Sequence, residues 1–482
     1  EEFREQVPLT TYDDYAPFLL EKREDVLPAK VAKWVRTSGR SGEYDVKWVP
    51  WSERFVQECK EVLVALAILA RCEGRGDVKI KEGRKVLYTV GGPEYGSGAM
   101  ADLLQQAINF QFLPLKGQYN SWLDKVRAGF NEALYRGLDG FGGLPSVLVA
   151  IGEQIKQGAI KPDIFSLLAH PQGLLRLAKG LLKSKLAGRP LLPKDIWSVK
   201  GITGGGTDCA VFTERVKELW GRYPLETYAG TEGGIYAVQT WDYQGMTFVP
   251  NLNFFEFIPE EKHAKWRSDP SYQPKTVLLD EVKAGENYEI ILTNFHGGVL
   301  TRFRIGDMIR IISLRNEKLN IDIPQMIFYS RADDLIDIAG LGHITERLVW
   351  EAVENSGIPY IDWVARKEII EGRPVLHLYI EPAIDQLDEE KIAEAVYQEL
   401  KGLNSRYGYN LYDTLINDFA SAIGLKPIKV TLLPQGTFAS FLAQREAEGA
   451  DLGHLKPPHI NPSEKVMAAL LTSAAIVSSS AR

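Results

Sequence analysis

Residues 197–234 read WSVKGITGGGTDCAVFTERVKELWGRYPLETYAGTEGG. The stretch 197–203 has the composition of a strand, and Gly204-Gly205-Gly206 closes it. Apolar residues then recur at helical spacing over 211–220. A second strand follows and ends at Tyr228. Strand, helix and strand in succession predict α/β layers, with the two strand ends as neighbours in one sheet. In open sheets of this kind ligands bind outside the carboxyl ends of the strands.

Both strand ends carry residues suited to a nucleotide. Gly204, Gly205 and Gly206, with Thr207 and Asp208, let backbone lie close to a flat ligand. In Tyr228-Ala229-Gly230-Thr231-Glu232, Tyr228 offers an aromatic face for a purine and Gly230 a close backbone approach. Thr231 and Glu232 set a hydroxyl beside a carboxylate, as a phosphate and its magnesium require. The plain alternative for either piece is a turn.

Working outward, the chain has 482 residues, enough for several domains. Its net charge of −7 argues against a general nucleic-acid binder, which needs a basic surface. Cys59, Cys72 and Cys209 are few, odd in number and without zinc-ligand spacing, which suggests a reducing compartment and predicts a cytoplasmic protein. No apolar run is long enough to span a membrane, so no membrane partner is expected. The Ala-rich tail 466–477 is expected to be a terminal helix docked on the body. The opening Glu1-Glu2-Phe3 carries no initiator methionine, which leaves room for a preceding segment and any targeting signal in it.

Helical patterns at 53–71 and at 144–155, the latter with Pro145 in its first turn, alternate with a strand at 86–90. Strands dominate 253–313. After Arg331-Ala332-Asp333-Asp334 the pattern becomes α+β, with helices at 344–355 and 389–403 and strands at 375–380 and 428–433. The expected division is a large α/β domain with a β-rich subdomain over 1–332 and a small α+β domain over 333–482.

Four further strings carry possible chemistry. Thr37-Ser38-Gly39-Arg40-Ser41-Gly42-Glu43 presents hydroxyls and backbone amides to phosphate oxygens, although it lacks the closing Gly-Lys-Ser/Thr of a P-loop. Thr301-Arg302-Phe303-Arg304-Ile305-Gly306-Asp307 ends on a carboxylate that can accept both hydroxyls of a ribose, or simply cap a strand. In Ser330-Arg331-Ala332-Asp333-Asp334, Arg331 can reach a ribose or phosphate oxygen, and the alternative is a solvated linker. Lys456, in Gly453-His454-Leu455-Lys456-Pro457-Pro458-His459, is either a surface lysine or an ammonium held where charge develops.

In this order the strings resemble the adenylate-forming, firefly-luciferase-like superfamily. Ala229 and Ser330 stand where that superfamily commonly has glycines. A closer resemblance is to the auxin-responsive Gretchen Hagen family of acyl acid–amido synthetases. It is carried by Val7-Pro8-Leu9-Thr10-Thr11-Tyr12-Asp13-Asp14-Tyr15-Ala16-Pro17, Phe141-Gly142-Gly143-Leu144-Pro145-Ser146, the 301–307 string, Gly436-Thr437-Phe438, Gly449-Ala450 and 454–458. The resemblance runs from about residue 5 to 460. Arg40, Thr301 and His459 depart from residues usual in the family and suggest a bacterial-type relative.

The resemblance implies ATP-dependent activation of a small carboxylic acid as an acyl-adenylate, then transfer to an amine, typically of an amino acid. It implies that Ser38, Gly39, Arg40 and Ser41 hold phosphates, with Gly204, Gly205, Gly206, Thr207, Tyr228, Ala229 and Gly230 around adenine. Thr231 would contact phosphate or the acid, Glu232 magnesium (Mg2+), Asp307 and Arg331 the ribose, and Lys456 the reacting oxygens. The small domain would be mobile about Asp333. Two alternatives are an acyl-CoA ligase and a nucleotide-binding module without catalysis. Oligomeric state is not specified by these residues.

Overall fold

The computed structural model describes every residue except 39–45, 80, 90, 116–121, 159–168, 207–208, 270, 332–334, 338–342, 385–386, 407–427, 448–458, 463 and 481–482. The chain forms two compact units, Glu1–Ala332 and Asp333–Arg482.

The larger unit begins with a hairpin of β1 (Val31–Ser38) and β2 (Val46–Ser52), paired antiparallel with Ser38 opposite Val46. Ser52 ends the hairpin and caps the next helix, Glu53–Leu69, by accepting a hydrogen bond from the Phe55 amide at 3.1 Å. That helix buries Phe55, Cys59, Val62 and Leu63.

Five parallel strands follow: β3 (Lys85–Thr89), β4 (Gln111–Leu113), β5 (Gly140–Gly143), β6 (Gly201–Gly205) and β7 (Leu225–Gly230). Helices connect them, including Gly96–Ile108, Trp122–Arg136, Pro145–Lys156 and Cys209–Trp220. The chain then turns antiparallel through β8 (Gly234–Val238), β9 (Met246–Phe248), β10 (Phe254–Pro259), β11 (Val277–Leu278), β12 (Asn287–Thr293), β13 (Phe303–Ser313) and β14 (Gln325–Arg331). All twelve share one sheet, ordered β11-β10-β12-β13-β14-β9-β8-β7-β6-β5-β3-β4. As the sequence predicts, β6 and β7 are neighbours, with Thr203 opposite Leu225 and Gly205 opposite Thr227.

One expected strand is shorter than its composition suggested. Trp197 follows the short helix Pro193–Ile196 and stacks on Trp220, with ring centroids 5.8 Å apart. Its indole N–H donates to the Ala133 carbonyl at 3.1 Å. The strand begins only at Gly201, where pairing with Gly140 starts. An aromatic residue with strand propensity is thus used to seal a helix layer.

The smaller unit holds a two-stranded ladder of β15 (Leu335–Asp337) and β16 (His343–Thr345). Its main sheet is β17 (Tyr360–Ile370), β18 (Arg373–Pro382) and β19 (Ile428–Leu432), with β19 parallel to β18. The sequence gives no clear sign of β17, because Arg366-Lys367-Glu368 interrupts its apolar pattern. The tail is the helix Glu464–Ser480, which packs Met467, Leu470 and Ala474 on Val364, Tyr379, Phe438 and Phe441. Among the described residues no helix is long and apolar enough to cross a membrane.

Candidate functional site at the carboxyl ends of the parallel strands

Because β3, β5, β6 and β7 run the same way, Thr89, Gly143, Gly205 and Gly230 all end at one edge of the sheet. Gly204 is tied to β7 by the Thr227 hydroxyl, which donates to its carbonyl at 3.0 Å. Two residues on, Gly206 has φ of +109°, a left-handed turn that suits glycine.

Tyr228 lies in β7 and is almost fully buried. Its hydroxyl donates to Asp307 Oδ2 at 2.6 Å. The ring is edge-on to Tyr236, 4.9 Å away, and tilted to Phe328 at 6.0 Å. Asp307 is itself buried in β13, where its ladder partner is Arg331 of β14. Residues far apart in sequence are therefore joined at one point. The Arg331 side chain lies outside the described residues.

Gly230 is required here by close approach. A Cβ at this position would sit 2.3 Å from the Tyr236 hydroxyl and 3.0 Å from its ring. Ala229, by contrast, is exposed. This local difference explains why alanine is tolerated at 229 and glycine retained at 230.

Thr231 and Glu232 occupy the turn after β7. The Thr231 carbonyl accepts from the indole N–H of Trp51 at 2.9 Å, which ties the turn to the β1–β2 hairpin. Its hydroxyl faces the start of the helix Gly96–Ile108, where a Cβ on Gly96 would stand 2.6 Å away. Arg36 of β1 reaches the same segment: its amide donates to the Glu94 carbonyl at 2.8 Å, and its guanidinium lies 4.5 Å over Tyr95. The sequence reading missed 91–98, although its glycines at 91, 92, 96 and 98 are the visible signal.

Glu226, two residues before Tyr228, has a carboxyl that burial pushes up to about 7. Among the described residues its one side-chain hydrogen bond is long, from Gln239 Nε2 at 3.5 Å. Two buried hydroxyls near the same edge, Thr89 Oγ1 and Ser146 Oγ, have no hydrogen-bond partner among the described residues. Such groups suit a polar atom of a ligand.

The 301–307 string serves the fold as well as the site. Arg302, with φ of +46°, is buried and grips Glu256 through bonds of 3.0 and 2.8 Å. It also donates to the Arg4 carbonyl at 2.6 Å and to the Val7 carbonyl. Thr10 pairs with the same strand: its amide donates to the Arg302 carbonyl at 3.0 Å, and its carbonyl accepts from Arg304 at 2.9 Å. Arg304 pairs with Glu289 at 2.6 Å. The N-terminal string quoted above therefore anchors the strand that carries Asp307.

Among the sequence candidates, Tyr228, Thr231 and Asp307 are placed around β7 and the strands and hairpin that contact it. Ser38 is the last residue of β1. Gly39, Arg40, Ser41, Thr207, Asp333 and Lys456 lie outside the described residues. Among the described residues no three His, Cys, Asp or Glu side chains cluster as a metal site. A magnesium ion bound with a nucleotide needs only one or two carboxylates, because phosphates and water complete its shell, so Glu232 fits that need.

Residues 246–331 match the GH3 family central domain. The chain is 28% identical over 243 residues to a 4-substituted benzoates–glutamate ligase, GH3.12, of Arabidopsis thaliana, covering 47% of this chain and 38% of that protein. It is 26% identical over 226 residues to the jasmonoyl–L-amino acid synthetase JAR4 of Nicotiana attenuata, covering 47% of this chain and 37% of that protein. The matched region thus spans little more than a third of either relative's length. In fold, the chain is similar to a solved 2-hydroxyisobutyryl-CoA ligase, with a TM-score of 0.51 at 14% identity over 90% of this chain and 78% of that one. The central-domain match and these relatives make the chain similar to GH3 proteins over about half of its length.

Proposed function

We propose that this protein activates a carboxylic acid with ATP and transfers the acyl group to an amine, typically of an amino acid. The observation that carries the proposal is the Tyr228–Asp307 contact beside the Thr231 turn, at the carboxyl end of β7, in a chain whose curated relatives join acids to amino acids. In the first half-reaction a carboxylate oxygen attacks the α-phosphorus, the bond to the β-phosphate bridging oxygen breaks, and pyrophosphate leaves. In the second, the amine nitrogen attacks the acyl carbon, the bond to AMP breaks, and the nitrogen loses a proton.

The first step brings anions together, so the site must supply cations and hydrogen-bond donors where charge accumulates. We assign phosphate binding to Ser38, Gly39, Arg40 and Ser41. Gly204, Gly205, Gly206, Thr207, Ala229 and Gly230 would flank adenine, with Tyr228 against it. Asp307 and Arg331 would hold the ribose, and Thr231 the phosphate or the acid. Glu232 would hold magnesium, which neutralises phosphate charge when bound. Lys456 would supply an ammonium to the reacting oxygens, and the Asp333–Arg482 unit would act as a lid that withdraws it before the amine enters. The acid would lie against the 103–112 and 141–147 segments, with the Thr89 and Ser146 hydroxyls, which have no partner among the described residues, bonding a polar substituent on it.

ATP–pyrophosphate exchange across aromatic, hydroxybenzoic and fatty acids tests the first half. Product mass after adding either an amino-acid mixture or coenzyme A tests the second. An amide product supports the proposal, and a thioester alone makes the protein an acyl-CoA ligase. Absence of exchange and of acyl-AMP over the whole panel makes it a binding module.

A further inference from the structure

The helix Pro171–Leu186, in the larger unit, packs its small residues inward and its leucines outward. Its buried residues are Gly173, Gly180 and Ser184. At about 100° per residue these fall within about 40° of one another and form one face. The helix lies against the helix Trp122–Arg136 and the short helix Pro193–Ile196. The approach is close: a Cβ on Gly173 would stand 3.0 Å from the Leu134 carbonyl oxygen, and one on Gly180 would stand 3.2 Å from that of Asp195. Arg176 fastens the same side, donating to the Leu134 and Tyr135 carbonyls at 3.3 and 2.6 Å.

Leu175, Leu182 and Leu186 repeat that spacing two residues further on, about 200° around the axis. They point away from the body and are 55%, 59% and 81% exposed. Leu174 and Leu181, on one flank, are exposed as well. A surface helix ordinarily buries its leucines and turns its polar residues to water. Here the small residues do the packing and the leucines meet water.

Lysines frame the apolar face. Lys179 and Lys183 lie about 40° and 80° to one side of it, and Lys185 about 80° to the other. All three are exposed, and the helix holds no acidic residue. Asp195, on the helix beneath, does not offset them, because it is buried and held by Arg189 at 2.7 and 2.9 Å. The local charge is opposite in sign to the net −7 of the chain.

The shape and the charge together select the occupant. A convex ridge of leucines enters a fluid surface directly, whereas a protein partner must bring a groove. Lysine stems run along apolar surface and lift their ammonium groups to the level of phosphates, and flanking lysines on both sides match a layer of anionic headgroups. A second copy docked through the same face would set lysines against lysines, which costs like-charge repulsion.

We propose that the helix Pro171–Leu186 is a docking element that lays Leu175, Leu182 and Leu186 into an anionic lipid surface, with Lys179, Lys183 and Lys185 on the headgroup phosphates. A helix that lies in the interface needs no apolar run long enough to span a bilayer. The expectation of no membrane partner, which rested on the lack of such a run, therefore does not extend to it. Nor does the net charge prevent docking, because screening confines the reach of each exposed charge to about 10 Å at 0.1 M salt. Docking does not depend on the adenylation reading.

The test uses the full chain and vesicles of phosphatidylcholine, either alone or with one-third phosphatidylserine. Flotation should carry the protein with the anionic vesicles only, and added salt should release it. Each lysine near an anionic surface contributes about five-fold, so Lys179→Gln, Lys183→Gln and Lys185→Gln together should weaken binding about 100-fold. Leu175→Ser, Leu182→Ser and Leu186→Ser together should abolish it, and circular dichroism should show the fold unchanged, because these side chains are exposed. Leu182→Cys gives a second readout: Cys59, Cys72 and Cys209 are buried, so a polarity-sensitive dye labels the new thiol and should shift to the blue with anionic vesicles. Failure of the wild type to float with anionic vesicles, or flotation unchanged in the leucine variant, overturns the proposal. Equal flotation with neutral vesicles and no effect of salt overturns the anionic assignment. A concentration-dependent dimer that the leucine variant abolishes also overturns the proposal, since a second copy then covers the face.

Discussion

Replacing Tyr228 with phenylalanine removes one oxygen and keeps the ring. The packing on Tyr236 and Phe328 survives, so no large cavity opens. What is lost is a buried 2.6 Å hydrogen bond to Asp307. A bond to a charged partner contributes about 1.5–3 kcal/mol, and a buried acceptor stripped of a donor costs a similar amount. Tyr228→Phe should therefore destabilise the larger unit by about 1.5–3 kcal/mol in urea unfolding. Because the hydroxyl also orients the carboxyl group assigned to the ribose, the KM for ATP in pyrophosphate exchange should rise roughly ten-fold, equal to about 1.4 kcal/mol. Asp307→Asn completes a double-mutant cycle. A stability coupling under about 0.5 kcal/mol, the usual scatter for independent sites, together with an unchanged KM for ATP would refute the reasoning.

Lys456→Ala should largely abolish pyrophosphate exchange with the cognate acid, and unchanged exchange removes Lys456 from the mechanism. Glu232→Ala should raise the magnesium concentration needed for half-maximal exchange, and a normal magnesium dependence withdraws the metal assignment. Arg302→Met leaves Glu256 buried without its cation and should cost about 3–5 kcal/mol of stability, with Glu256→Gln recovering part of it in the double variant. Glu226 is raised from 4.5 to about 7, so its neutral form is favoured in the fold. Its contribution is present at low pH and lost as pH rises from the ordinary carboxyl value through about 7. Glu226→Gln should thus gain on the wild type between pH 5 and 8 in urea unfolding, by up to about 3 kcal/mol, and a constant difference across that range removes the assignment.

Much of the larger unit was legible because its signals are local. The helix at 144–155 was marked by Pro145 and apolar spacing, and the observed helix is Pro145–Lys156. The strand pair before and after Gly204 was marked by a helix of the right length between them. Less legible was β17, whose charged middle bonds sideways: Glu368 accepts from Tyr379 at 2.8 Å and pairs with His377 at 2.6 Å. The 91–98 segment was overlooked because its role depends on Arg36 and Thr231, which come from other parts of the chain.

The sequence by itself determined the alternation of strands and helices, the glycines at the strand ends and the order of the family's strings. These follow from residue spacing and backbone freedom, which act over a few residues. Only the tertiary structure decided that Tyr228 meets Asp307, that Arg302 binds the N-terminal segment, and that His459 sits between two carboxylates. Each of these is a polar group removed from water, and burial leaves such a group stable only beside a partner. Which partner it finds depends on strand order and register, and so on the whole sheet.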